Sequence, residues 1–196
     1  MIGQSWNTIA TAANPADAVR AHLETLLAET DDDRAVLDRL MSRFTTVEVD
    51  DHGAIVSFRY VEYDEVVPVR FSLPGEMTEP IRSLQAIVTK HGGIAASCLG
   101  GGDIAFPGAN SVEDFLANGD AFPDTPMIVF DVGQNIMVGH PTEQNARGEP
   151  TLYFIDHEDG QAVELEGAAQ LTAAQVYLRL LTQHLGGEAY FEAVGG

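Results

Sequence analysis

Residues 45–73 read TTVEVDDHGAIVSFRYVEYDEVVPVRFSL, and this stretch decides the fold class. Apolar and polar side chains alternate along it with a period of two, which is typical of β-strands rather than helices. Turn-forming residues interrupt the alternation at 50–53 and again at 62–65. The pattern therefore predicts an antiparallel meander of three strands, at 45–49, 54–60 and 66–73.

Two helices are predicted before this meander. Asn14-Pro15 has the residue types of an N-cap and first helical position, and the apolar spacing continues to about residue 29. The acidic run Asp31-Asp32-Asp33 opens a second helix that continues to about Phe44. We interpret the run as favourable charge at a helix N-terminus, because no calcium-loop pattern follows it.

The rest of the chain mixes hairpins with isolated helices. We predict a helix at about 78–91 that closes at Gly92-Gly93, and a last helix at 172–185. A second antiparallel meander at about 127–166 lies between them, and a short helix is expected at 111–118. This order favours an α+β fold, an antiparallel or mixed sheet with flanking helices, over a parallel β-α-β arrangement.

The domain organisation is predicted from the same pattern. Residues 1–73 form an N-terminal unit of two helices and a meander, and residues 74–196 form an α+β unit that ends in the last helix. A chain of this length also fits one domain, so the sequence leaves open whether the two units share a core.

The charge of the chain constrains its partners. The 196 residues carry 30 Asp and Glu against 10 Lys and Arg, a net charge of −20. Residues 91–196 contribute 15 acidic and 2 basic side chains, a net charge of −13. Nucleic acids and anionic membranes are excluded as partners because both are polyanions. The acidity indicates either a surface that docks on a basic protein or a background charge that only aids solubility.

The compartment is predicted from what the sequence lacks. Cys98 is the single cysteine, so no disulfide can form within the chain. The first residues show no basic segment followed by an apolar one, and no run approaches 18 apolar residues. We expect a soluble cytoplasmic protein of unknown oligomeric state.

No motif for catalysis or cofactor binding is convincing. Gly100-Gly101-Gly102 lacks the spacing of a phosphate loop, and Cys98 is expected to be a buried structural thiol. We therefore predict no catalytic residue and no cofactor. His140, Asp156 and His157 are kept as an alternative metal site, because they would converge if their strands pair.

Two short motifs resemble the SUKH superfamily, over roughly residues 74–185. They are Leu152-Tyr153-Phe154-Ile155-Asp156-His157-Glu158, followed by a strand and a capped helix, and the helix that ends in His91-Gly92-Gly93. This superfamily includes yeast cell-wall-synthesis regulators and many bacterial immunity proteins. The mid-domain tryptophans are missing, because Trp6 is the only one in the chain. The resemblance implies a non-enzymatic binder, such as an immunity protein that neutralises a toxin.

Three functions are carried forward from these patterns. The first is an immunity-type inhibitor of a basic, nuclease-like toxin, and the others are a small carboxylate- or metal-dependent hydrolase and a scaffold whose acidity is background. An inhibitor of this kind needs its charges side by side on one exposed surface. The residues predicted to line that surface are Asp131, Glu143, Glu149, Glu158 and Asp159.

Overall fold

The computed structural model describes residues 3–60, 65–74, 81–98, 102–108, 122, 124, 126–158 and 160–192. Within these ranges, nine strands form one sheet in which each strand pairs with its neighbour in sequence. Every pair is antiparallel. The predicted α+β class with flanking helices is confirmed.

The elements of the described residues are numbered in chain order. The strands are β1 (Phe44–Asp50), β2 (Gly53–Arg59), β3 (Val66–Ser72), β4 (Ile94–Cys98), β5 (Gly102–Phe106), β6 (Met127–Gly133), β7 (Asn135–Gln144), β8 (Pro150–Ile155) and β9 (Ala162–Glu164). The helices are α1 (Gly3–Ala10), α2 (Pro15–Leu27), α3 (Asp31–Met41), α4 (Gln85–His91) and α5 (Ala173–His184). A 3-10 turn, Arg82–Leu84, leads into α4.

The predicted meanders are parts of one larger sheet. Strands β4 and β5 lie between them and join β3 to β6. The proposed boundary at residue 73 therefore does not separate two sheets. Helix α1 was not predicted, and the helix expected at 111–118 lies outside the described residues. None of the described helices combines the length and apolarity that a membrane span requires.

The inner face of the sheet carries the main hydrophobic core. Alternate residues of the central strands point to this face, and they cluster with apolar residues from all the helices. Tyr177 of α5 is the largest fully buried side chain, and its hydroxyl donates to the carbonyl oxygen of Ile94 at 2.9 Å. The core spans both predicted units, so they fold around one interior.

The outer face is apolar at one end and polar at the other. A second cluster lies over β7 to β9 and contains Phe122, Ile136, Val138 and Ile155. Toward β1, the same face carries the ion pair of Arg70 with Asp50, at 2.9 Å.

Each of the three longer helices begins at a side-chain cap. The Asn14 side chain accepts a hydrogen bond from the backbone N–H of Asp17, as its position before Pro15 predicts. Thr30 opens α3 and Thr172 opens α5, each through a capping box with the residue three positions later. The acidic run thus follows the cap, and the cap itself is Thr30.

The third residue of the run, Asp33, also joins α3 to α5. It is fully buried, and its Oδ1 accepts from the Arg179 guanidinium at 2.7 Å. Its Oδ2 accepts from the Gln175 amide at 2.6 Å. Burial by itself raises the pKa of Asp33, but the hydrogen bonds from Gln175, from Arg179 and from two backbone N–H groups outweigh it and lower the pKa to about 2.

We predict that Asp33→Asn lowers the free energy of unfolding at pH 7 by about 2 kcal/mol or more, because the buried Arg179 then keeps only the exposed Asp32 as a carboxylate partner. The carboxylate stabilises the fold fully above its unfolded pKa of about 3.9, and this contribution, about 2 kcal/mol, is lost as the pH falls toward about 2. Urea unfolding at several pH values measures both effects.

The matched control is Asp31→Asn, which makes the same chemical change in the same helical turn on a side chain that is 99% exposed. It should change stability by less than about 0.5 kcal/mol. An Asp33→Asn protein as stable as this control would show that the buried pair contributes nothing.

Candidate functional site

The alternative metal site does not form. The described residues contain no group of three His, Cys, Asp or Glu side chains placed to hold a metal ion. Ile136 pairs with Ile155, so Asp156 and His157 lie beside the start of β7. His140 lies four residues further along β7, about 13 Å away at the usual rise per residue. The strands do pair, but they separate these ligands.

Both histidines of that set have local hydrogen bonds. The Nδ1 atom of His140 accepts from the backbone N–H groups of Thr142 and Glu143, at 3.2 and 2.9 Å. The Nδ1 atom of His157 lies 2.8 Å from the Asn135 Oδ1, which also accepts from the His157 backbone N–H. The first set of contacts lies within β7, where its pairing with β8 is irregular, and the second joins the end of β8 to the start of β7.

Two of the five predicted docking residues are buried, and this corrects the prediction. Asp131 is 6% exposed, because it lies in the middle of the sheet with β5 and β7 on either side. Glu149 is 5% exposed. Neither carboxylate can form part of an exposed charged surface in this fold.

Glu149 instead holds the start of α5. Its Oε2 accepts from the Ala173 backbone N–H at 2.8 Å and from the Ser83 hydroxyl at 2.9 Å. Its Oε1 accepts from the Ser83 backbone N–H at 2.8 Å. A negative charge is favourable at a helix N-terminus, where backbone N–H groups have no helical acceptor.

We predict that Glu149→Gln lowers the free energy of unfolding by about 2 kcal/mol, because one carboxylate oxygen becomes an amide that faces donors. Chemical denaturation measures the change, with Glu143→Gln as the exposed control. A loss no larger than that of the control would mean that Glu149 has no structural role.

The other predicted docking residues give a partial picture. Glu143 is 57% exposed and accepts from the Tyr153 hydroxyl at 3.1 Å. Glu158 is exposed in the turn after β8. Asp159 lies outside the described residues. Glu143 and Glu158 therefore remain candidates for the exposed docking surface, and the prediction for Asp159 is not tested.

A contact between the buried His91 and the partly buried His22 was not predicted. The Nε2 atoms of His22 and His91 lie 2.6 Å apart, and the Trp6 indole donates to the His91 Nδ1 at 3.2 Å. Burial, together with the positive charge of Lys90, lowers the pKa of His22 to about 4. Burial, together with the charges of His22 and Lys90, lowers the pKa of His91 to about 3. The ring nitrogens of His91 are engaged within the fold, so this pair is a structural contact.

We predict that acid destabilises the protein through this pair. The unfolded histidines take up protons below about pH 6.5 while the folded ones stay neutral, so stability is full above that pH and falls below it. Each histidine accounts for a loss of about 2 kcal/mol between about pH 7 and about pH 5. Urea unfolding of the wild type and of His91→Gln at both pH values should show about half the loss in the variant.

His52→Gln is the control, because His52 is an exposed histidine in the β1–β2 turn. It should keep the pH dependence of the wild type. If His91→Gln also keeps the pH dependence of the wild type, the contact between His22 and His91 does not control stability in acid.

An acidic groove lies beside β9, the last strand of the sheet. Its cavity has a volume of about 480 Å³ and is bounded by residues 163–167 and 190–192. Leu165 and Phe191, each 2% exposed, belong to the hydrophobic core beneath it, and Val163 is 48% exposed at its side. Three exposed glutamates, Glu164, Glu166 and Glu192, also line the groove.

Contacts with α5 and α3 hold one wall of this groove. The Gln183 side-chain oxygen accepts from the backbone N–H groups of Tyr190 and Phe191, at 2.8 and 3.2 Å. The Tyr190 hydroxyl accepts from Arg39 at 2.9 Å, and Arg39 is itself paired with Glu188. The wall is therefore fixed before any partner arrives.

The charge of the groove is not neutralised within the described part of the chain. No described ion pair includes Glu164, Glu166 or Glu192. The sequence contained a signal for this site: residues 163–166 read VELE, with apolar and acidic residues alternating in a predicted strand. That signal was overlooked because residues 190–192 complete the groove only in the folded chain.

Comparisons with known proteins assign no family to this chain. No protein-family model, no curated protein and no solved structure matches it.

Proposed function

We propose that this protein is a non-enzymatic acidic binding protein, an immunity-type inhibitor that docks on a basic protein such as a nuclease-like toxin domain. The observation that carries the proposal is the groove beside β9. It is lined by three exposed glutamates, at 164, 166 and 192, and by the buried Leu165 and Phe191. Interfaces with basic partners combine these two features, an apolar centre and complementary charge.

The distribution of ion pairs supports this proposal. Six arginines are paired with carboxylates within the described residues, and three of these pairs lie among the helices. Residues 127–166 and 186–192 contain one arginine, Arg147 between β7 and β8, and it pairs with Glu29. The charged residues that line the groove are all glutamates, and Arg39, which contacts Tyr190 at its wall, is itself paired with Glu188.

The resemblance to the SUKH superfamily adds the class of partner. Its motifs at 91–93 and 152–158 suggest an immunity protein, and toxin nucleases carry a basic surface for phosphate. An acidic inhibitor is attracted to such a surface over a Debye length, which raises the rate of association. His91 offers no alternative reaction centre, because it is buried and both of its ring nitrogens are bonded within the fold.

The test is the association kinetics with the C-terminal domain of the protein encoded directly upstream of this chain. We predict that the association rate falls about ten-fold or more between about 0.02 M and about 0.3 M salt. The triple variant Glu164→Gln, Glu166→Gln, Glu192→Gln should bind more slowly at low salt and with a weaker salt dependence. Surface plasmon resonance measures both quantities.

The matched control removes three charges outside the groove, at Glu48, Asp51 and Glu65, by the same amide substitutions. It should associate faster than the groove variant at low salt. Absence of binding, or a rate that does not respond to salt, would contradict the proposed function. If binding depends on salt and both variants weaken it equally, the proposed function stands and the docking surface lies outside the groove.

A further inference from the structure

Within the described part of the chain β9 is an edge strand of the sheet, and its outer edge offers hydrogen-bonding groups to the groove. The Leu165 backbone N–H donates to the Leu152 carbonyl at 2.9 Å, so residue 165 points its backbone groups toward β8. Backbone groups of successive residues in an antiparallel strand point in opposite directions. The N–H and C=O of Glu164 therefore point away from β8, and Glu164 lines the groove.

This edge has the features of a strand that accepts another strand. Edge strands present rows of backbone donors and acceptors, and natural proteins protect them against unwanted pairing with charge. Here the charge is of one sign only, and it accompanies an exposed Val163 and a cavity of about 480 Å³. A site of this kind discourages neutral and acidic strands and favours a basic one.

We propose that β9 binds an extended, basic segment of the partner protein by strand addition. Lysine or arginine side chains of that segment pair with Glu164, Glu166 and Glu192, and an apolar side chain packs beside Val163. Backbone hydrogen bonds supply affinity in this mode, and the alternate side chains supply specificity. The proposal rests on the proposed function for the choice of a basic partner.

A second copy of the chain is a poorer occupant of the same edge. Pairing of two β9 strands would bring the carboxylates of both grooves together, and like charges opposite each other destabilise a strand pair. The net charge of −20 on each copy adds to this repulsion. Charge complementarity therefore selects a basic partner over self-association.

The experiment compares Glu164→Pro with Glu164→Gln in the full chain. Both substitutions remove the same charge, but only proline removes the N–H at the free edge. Because this N–H does not point toward β8, the proline should not remove a hydrogen bond of the sheet. The probe is a fluorescent peptide of alternating lysine and valine, and its affinity is measured by fluorescence anisotropy.

We expect Glu164→Pro to bind this peptide about ten-fold or more weakly than Glu164→Gln. A peptide with N-methyl groups on alternate residues repeats the test on the unchanged wild type, so the result does not depend on how well the proline variant folds. It should lose affinity to a similar extent. A peptide with glutamate in place of lysine should not bind.

Several outcomes would overturn the inference. Equal binding by the proline and glutamine variants, with no effect of N-methylation, would mean that charge alone attracts the peptide. A wild type that is dimeric in analytical ultracentrifugation and becomes monomeric with Glu164→Pro would assign the edge to a second copy. If the peptide does not bind but the basic partner domain binds in a salt-dependent way, strand addition is wrong and the proposed function stands.

Discussion

The buried ion pair of Asp33 with Arg179 is the contact on which the arrangement of the helices depends. It joins the first turn of α3 to the middle of α5, and both partners are almost without solvent exposure. Desolvating two charges is costly, and here the cost is offset because Asp33 also accepts from Gln175 and from the backbone before α3. The same carboxylate therefore caps one helix and anchors another.

The position of α5 in turn determines the groove. Glu149 and Ser83 fix its first turn, and Gln183 near its end holds residues 190 and 191. These residues form one wall, and β9 forms the other. The candidate site is thus built between an edge strand and the segment after the last helix, and both are positioned by buried polar contacts.

Local patterns in the sequence predicted much of this fold. Asn14, Thr172 and the period-two alternation of 45–73 each depend on neighbours within a few residues, and each was interpreted correctly. Helix α1 was missed because it is short and is held by Trp6 in a distant part of the core. The two meanders are joined because β4 pairs with β3 and β5 pairs with β6. These pairings connect strands that are far apart in sequence, and no local pattern in the sequence encodes them.

The site was harder to predict than the fold, for a physical reason. A count of charges gives their number and sign, but accessibility is decided by tertiary structure. Asp131 and Glu149 belong to the acidic half of the chain, yet the sheet and the start of α5 enclose them. Glu164 and Glu192 are far apart in sequence and meet only because residues 190–192 return to β9. The docking face therefore stays a proposal, both in its charge and in its placement.

The order of strands in the sheet has a consequence for how the chain folds. Each strand pairs with the next one along the chain, so the sheet can grow hairpin by hairpin. Most of the connections are short, whereas those from β3 to β4 and from β5 to β6 are longer. The contact of Asp33 with Arg179 spans 146 residues and cannot form until both ends of the chain are in place. We expect the docking of α5 on α3 to be a late step of folding, because it closes a long segment of chain. In a cell, α5 would leave the ribosome after all the described strands, so the inner face of the sheet would stay uncovered until then.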